Sequence, residues 1–419
     1  MAMKFYLPDW EDRVDPLFDF QNDTYSTGHK KNPYSNDIYA HQLYDGKSPY
    51  DGILVSISNF ESKISLKDME NGKFTIRGIS KIRDYLKIKK YSRIKIMGDC
   101  GAFSYVAREK PPSFYSVERV AGIYEALSFD FGVSVDHIAV NSYLVKENGI
   151  RRYVPLSDKE KDKRVKLTLR NASVFKQIVE ERKYKFNPIG VAQGYDKKTY
   201  LSSVLKLEDM GYDYIALGGL VQYSNQELMK IIMSVSPYLE ETKLHLFGVL
   251  RPTQLNRFES LGVTSFDSAS YFRKAWLRSG QNYLSPRGKW FAAIRIPYSW
   301  NKNLLQAAKE ENISFDRIKD LESSALNAIR MYGLRNIDLE TALNSIVNYD
   351  RLLFRSSKEE RNLEDKYRKT LKYRPWESCS CKVCKDLGVE VLIFRGANRN
   401  KRRGFHNTWI FQNKIGKRV

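Results

Sequence analysis

Long apolar runs are missing from this chain of 419 residues: none approaches the roughly 20 residues a helix needs to span a bilayer. The opening "MAMKFYLPDWEDRVDP" also lacks the apolar segment of a secretory signal. A cytosolic protein with no membrane partner is the expectation. Cysteine is scarce, at four residues, which excludes a dense disulfide framework. Acidic residues are short too: 49 Asp and Glu stand against 70 Lys and Arg, a formal surplus of +21. That surplus points to an extended polyanionic partner, most often nucleic acid; a generally basic proteome is the alternative. The length suits one large domain with appendages or two to three smaller ones.

Three of the four cysteines crowd into "ESCSCKVCKD", residues 377–386. Cys379, Cys381 and Cys384 form C-x-C-x-x-C, and His406 stands beyond them in "RRGFHNTWIF". Three thiolates and an imidazole complete a tetrahedral zinc shell that has no open position, so a structural Zn²⁺ is expected. Three unpaired thiols and an unrelated histidine are the alternative. The basic run "RGANRNKRRG", with Arg402 and Arg403, lies between Cys384 and His406 and is expected as a metal-anchored loop facing phosphates.

From residue 50 to 270 a rhythm repeats: a short apolar run, a polar residue or glycine at its end, then a helical stretch. The runs are "ILVSISNF", "RIKIMGDCG", "FGVSVDHI", "NPIGVAQG", "DYIALGGL", "LHLFGVL" and "VTSFDSAS". Strands buried on both faces read this way. Ser224 and Glu227 are spaced as a capping box before a helix, and Gly211 and Gly262 stand as helix stops. Seven strands with intervening helices predict a parallel α/β fold: a (β/α)8 TIM-like barrel with one strand unlocated, or alternatively an open doubly wound sheet.

In a barrel the strand ends gather Asp99, Asp136, Gln193, Gly218, Gly219, Gly248 and Asp267 on one face. A carboxylate ending an apolar strand is costly unless it serves a site, although a single one also suits a helix cap or a core ion pair. Two carboxylates across a pocket suit displacement at an anomeric carbon. A third, with a glutamine amide and glycine backbone groups, can read the edge of a flat heterocycle. With the basic surplus, this predicts cleavage of an N-glycosidic bond in a nucleic acid.

"GDCGAF", "GVAQG", "ALGGL", "FDSASYFRKA" and the C-x-C-x-x-C…His pattern resemble, in the same order, the motifs of the tRNA-guanine transglycosylases. The resemblance implies a (β/α)8 barrel with an attached zinc subdomain. It implies Asp267 as nucleophile on C1′ of the target guanosine and Asp99 as general acid/base. It also implies Asp136, Gln193 and the Gly218, Gly219 and Leu220 turn as the base-binding set, and Arg273, beside Lys274, as a contact to the nucleic-acid backbone. His137 and His245 are expected in core or supporting roles.

The sequence departs from the family pattern in places. His137 and Ile138 follow Asp136 where many bacterial members have a nearby cysteine, and "SASYF" replaces the proline and threonine before the arginine. The 111 residues between Asp267 and Cys379 exceed the bacterial tRNA enzymes and carry helical apolar spacing. "GDCGAFSYVA", "HLFGVL" and the compact C-terminus are more similar to the DNA-modifying, DpdA-like branch. That branch implies exchange of guanine in DNA for a 7-deazaguanine such as preQ0, with a partner protein that opens or distorts DNA; tRNA is the alternative substrate. A catalytically silent nucleic-acid-binding barrel is the remaining reading. The expected organisation is an N-terminal cap or arm over 1–50, a catalytic barrel core over 51–290, a mainly helical insertion over 291–374 and a zinc-binding subdomain over 375–419.

Overall fold

A computed structural model describes residues 3–44, 46–64, 74–147, 150–277, 280–353 and 357–416. Eight parallel strands close into a barrel. They are β1 (Lys4–Pro8), β2 (Gly52–Ser56), β3 (Lys95–Asp99), β4 (Phe131–Val133), β7 (Asn187–Ala192), β8 (Tyr214–Leu217), β9 (Lys243–Leu246) and β10 (Val263–Asp267). An antiparallel hairpin, β5 (Ser142–Glu147) and β6 (Ile150–Pro155), is inserted after β4. All seven apolar runs of the sequence supply barrel strands. The strand missing from that count is β1, which pairs with β10 on one side and β2 on the other. This corrects the expectation that residues 1–50 form only a cap or arm. Five residues of "KFYLP" give little periodicity, and only pairing with strands distant in sequence makes them a strand.

The barrel interior is a packed core of Tyr6, Leu54, Met97, Val133, Ile189, Val191, Tyr214 and Ala216. Layered side chains from alternate strands fill a barrel of this kind, so chemistry is left to its C-terminal rim. Helices α1 (Val117–Ala126), α2 (Asp158–Glu181), α3 (Lys197–Asp209), α4 (Asn225–Val235) and α5 (Leu255–Ser260) connect strands. Their ends obey local chemistry. Ser157 with Glu160 and Ser224 with Glu227 form reciprocal capping boxes at the starts of α2 and α4.

The chain divides into two compact units: residues 1–11 and 50–269 with the barrel, and residues 12–49 and 270–417 in the other. Residues 270–290, expected in the barrel core, therefore belong to the second unit. That unit holds α6 (Ser270–Lys274), α7 (Lys302–Glu310), α8 (Phe315–Gly333), α9 (Leu339–Asp350), α10 (Ser357–Tyr373), α11 (Lys382–Leu387) and α12 (Gly396–Gly416). Asp23 explains why residues 12–49 join a segment so distant in sequence. It accepts from Arg395 Nε at 2.6 Å and also pairs with Arg399. Arg399 in turn bonds Glu390 at 2.7 Å.

Candidate active site and metal centre

The C-terminal rim of the barrel brings together Asp99, Asp136, Gln193, Gly218, Gly219 and Asp267. Asp99 ends β3 and Asp267 ends β10, while Asp136 and Gln193 sit just past β4 and β7. The Asp99 carboxyl is lifted to about 7, first by loss of solvent and then by the charges of Asp136 and Asp267. Hydrogen bonds from the Gly101 amide and the Ser56 hydroxyl partly oppose the rise. Gly101 is required for this arrangement, since its φ of +84° and a Cβ position 2.3 Å from Ser58 Oγ suit no other residue.

Asp136 is buried and held on both oxygens. Gln193 Nε2 donates to Oδ2 at 2.6 Å and the Cys100 thiol to Oδ1 at 3.2 Å. Burial raises the Asp136 carboxyl, and these two donors pull it back. The thiol is itself pushed well above its ordinary value by burial and by Asp136, so it acts as a neutral S–H donor. Tyr105 steadies the pair: its hydroxyl lies 3.1 Å from Cys100 Sγ and donates to the Asp136 carbonyl at 3.0 Å. Gln193 Oε1 accepts from the Ala139 amide at 3.4 Å. Gly218 must lack a side chain, because a Cβ there would stand 2.2 Å from Gln193 Nε2. The Tyr200 hydroxyl donates to the Gly218 carbonyl at 2.7 Å, and Leu220 is fully buried behind the turn.

Asp267 is 4% exposed and receives the Gly248 amide at 2.8 Å. His245 Nε2 stands 3.3 Å from the same oxygen, and His245 Nδ1 lies 2.7 Å from Ser265 Oγ. Tyr214 closes the chain at 2.5 Å from that hydroxyl. His245 thus touches the candidate nucleophile. His137 sits in the core, with burial pushing it down to about 4 and Nε2 donating to the Arg108 carbonyl at 2.8 Å.

Cys379, Cys381, Cys384 and His406 converge with all four ligand atoms within 4.8 Å of one another. The sulfurs lie 3.6, 3.3 and 3.3 Å from His406 Nδ1. A tetrahedral site with ordinary Zn–S and Zn–N lengths has S···N edges of about 3.6 Å, so the cluster fits a metal of that kind. The other ring nitrogen of His406 donates to the Leu284 carbonyl at 2.8 Å, which leaves Nδ1 free of its proton as a ligand must be.

The nucleic-acid set divides. Arg273 is exposed on α6, whereas Lys274 bonds Gln281 at 2.9 Å and covers the Trp290 ring. Arg402 and Arg403 correct the expectation of a phosphate-facing loop: "RGANRNKRRG" enters helix α12, and both arginines are buried. Arg403 donates to the carbonyls of Ala275, Val391 and Ile393 at 2.6 to 3.1 Å, and Arg402 to that of Asp15 at 2.8 Å. Their charge serves the interior of the second unit. Cys100, Tyr105 and Ser265 were missing from the sequence-based site, whereas Gly248 was expected on the rim and His245 in a core or supporting role, neither as a partner of Asp267. Only Cys100 carried a signal, as a thiol inside "GDCGAF".

The sequence model of the queuine tRNA-ribosyltransferase family matches residues 113–393. The chain belongs to this family. Its members are pentosyltransferases that exchange a base, and the present protein is an enzyme of that class. It is 34% identical over 420 aligned residues to a DNA-guanine transglycosylase of Salmonella montevideo, covering 99% of this chain and 96% of that one. It is 26% identical over 163 residues to the tRNA-guanine(15) transglycosylase of Methanococcus aeolicus, covering 37% of this chain and 22% of that one. Among the described residues no helix is long and apolar enough to cross a membrane.

Proposed function

We propose that this transglycosylase exchanges guanine in DNA for a 7-deazaguanine base such as preQ0, in the cytosol, through a covalent aspartyl intermediate. The observation that carries the choice of DNA is the similarity to a DNA-guanine transglycosylase along 99% of the chain, against 37% for the tRNA enzyme. A tRNA substrate is the second reading.

In the proposed reaction an Asp267 oxygen attacks C1′ as the C1′–N9 bond breaks, and the electron pair leaves with guanine. Asp99 delivers a proton to the departing base. It then removes one from the incoming base, whose nitrogen attacks C1′ and releases Asp267. A carboxyl near 7 is matched to both transfers at neutral pH. The Gly248 amide and His245 orient Asp267. Asp136, Gln193, Gly218, Gly219 and Leu220 are proposed to hold the base, with Gln193 and Cys100 fixing the Asp136 carboxylate toward its donor edge. Arg273 is proposed to meet the polymer backbone. The metal is proposed to be a structural Zn²⁺, and a partner protein is proposed to open the duplex, since extruding a base costs a few kcal/mol.

Nucleoside mass spectrometry of DNA and of tRNA, each incubated with preQ0 and the protein, tests this reading with Asp267→Ala as control. A deazaguanine deoxynucleoside in DNA is expected, and product in tRNA alone would overturn the DNA assignment. The variant should lose the covalent adduct while salt-sensitive DNA binding stays within about two-fold.

A further inference from the structure

The hairpin β5–β6 has no place in base exchange as derived above, yet it rises from the active-site rim. Five residues separate Asp136 from Ser142, a span of at most about 20 Å. Its root is tied to the base-binding turn: the Asn141 amide donates to Gln222 Oε1 at 2.7 Å, and Gln222 Nε2 donates to the Gly219 carbonyl at 3.2 Å.

Register separates its two faces. Leu144 pairs with Tyr153, Lys146 with Arg151 and Ser142 with Pro155, which places these residues on one face. Tyr143, Val145 and Val154 occupy the other and are half-buried, while Arg152 and Ile150 of that face are exposed toward the hairpin's far end. Arg164 of α2 lies over the Tyr143 ring at 5.9 Å and donates to the Ile138 carbonyl at 2.9 Å, so the inner face is held to the barrel. The outer face is not. Tyr153 is 73% exposed, Leu144 46%, and Arg151 is exposed beside them. An aromatic ring directly opposite a leucine, with a guanidinium next to it, is an unusual composition for a solvent face, where polar residues ordinarily alternate with the buried ones.

Charge selects the occupant. Helix α2 starts three residues after the hairpin ends and exposes Lys159, Lys163, Lys166 and Arg170 at helical spacing on one face. The acids near that stripe have partners of their own: Asp158 pairs with Lys161 at 3.0 Å, Glu160 accepts from Ser157 in the capping box, and Asp162 accepts from the Tyr195 hydroxyl at 2.7 Å. Four cations along about 16 Å of helix make a strong local positive field. A strand of nucleic acid satisfies both features, since its bases stack on aromatic rings and its phosphates answer the cations.

We propose that the outer face of β5–β6 is a stacking platform for a nucleobase of the target strand next to the extruded guanosine, with Tyr153 and Leu144 under the base and Arg151 and the α2 stripe toward its phosphates. The inference rests on the DNA reading above for the identity of the strand. The platform supports one unstacked neighbour and so lowers the cost of opening the duplex beside the target.

The test is fluorescence anisotropy of labelled single-stranded DNA with the whole protein over a salt series, in Tyr153→Ala, Tyr153→Phe and the double variant Lys163→Glu/Lys166→Glu. All altered side chains are exposed, and thermal melts check that folding is unchanged. Tyr153→Ala is expected to weaken binding roughly ten-fold with the salt slope unchanged, and Tyr153→Phe to restore it. The double variant is expected to lower the slope by about 2. Unchanged DNA affinity in Tyr153→Ala overturns the platform, as does a Tyr153→Ala effect on self-association in sedimentation, which would make the face a contact between copies. Binding needs no base exchange. A protein that shows these losses but makes no deazaguanine in DNA would therefore sink the proposed function and leave the platform standing.

Discussion

At the residue scale the site turns on Asp99, whose carboxyl shares the rim with those of Asp136 and Asp267 and rises from 3.8 to about 7. A folded pKa above the unfolded one means that the folded chain binds the extra proton between those values. Stability from this group is therefore complete below about 4 and is lost as pH climbs to about 7. Asp99→Asn removes the liability. At pH 8 the variant should melt at higher temperature than the parent, by the equivalent of ~2 kcal/mol, whereas at pH 4 the two should melt alike, and base exchange should disappear. Equal melting differences at both pH values would show that Asp99 does not carry the shift. Cys100 belongs to the same scale. Its thiol donates to Asp136 because burial keeps it protonated, and a neutral donor holds a carboxylate without discharging it.

Among elements, helix α12 shows how composition misleads. "NRNKRRG" reads as a phosphate-binding run, yet folding turns Arg399, Arg402 and Arg403 inward, where carbonyl groups and Asp23 and Glu390 satisfy them. Burial pushes the Arg403 guanidinium down to about 9, with the neighbouring Arg399 adding to the shift. Its forked donors bind three carbonyls from two segments far apart in sequence, Ala275 and the 391–393 stretch, so it acts as an internal strut. Arg403→Met should cost ~3 kcal/mol by leaving those carbonyls unpaired. Denaturant unfolding would register the loss, and the salt slope of DNA binding should stay unchanged. A variant of wild-type stability with a lower slope would restore the phosphate role. The contrast with α2 is instructive. There the cations fall on one exposed face by helical spacing, and inward-facing Arg164 is the exception.

For the whole molecule, the cluster of Cys379, Cys381, Cys384 and His406 gathers segments of the second unit that are far apart in sequence: the C-x-C-x-x-C turn, His406 of α12 and the Leu284 carbonyl. Tyr283 stacks on the His406 ring at 4.1 Å and lies 3.1 Å from Cys384 Sγ, so the ligands are embedded in packing. Ligand loss should act as lost folding energy. Cys381→Ser is expected to abolish stoichiometric zinc in elemental analysis and to lower the melting midpoint by roughly 5 to 10 °C. Full zinc content in that variant would remove Cys381 from the ligand set.

Seven of the eight barrel strands, the strand-end positions of Asp99 and Asp267 and the grouping of three cysteines near one histidine were legible in the sequence, because each is written in local periodicity or short spacing. Other features depend on partners distant in the chain. β1 is a strand only because β2 and β10 flank it, and Arg402 and Arg403 are interior only because carbonyls of Asp15 and Ala275 reach them. His245 meets Asp267 because β9 and β10 are neighbours in the barrel. The proton affinity of Asp99 is the clearest case: sequence determined that a carboxylate ends β3, and tertiary structure alone, by removing water and adding two like charges, made it an acid that titrates near neutrality.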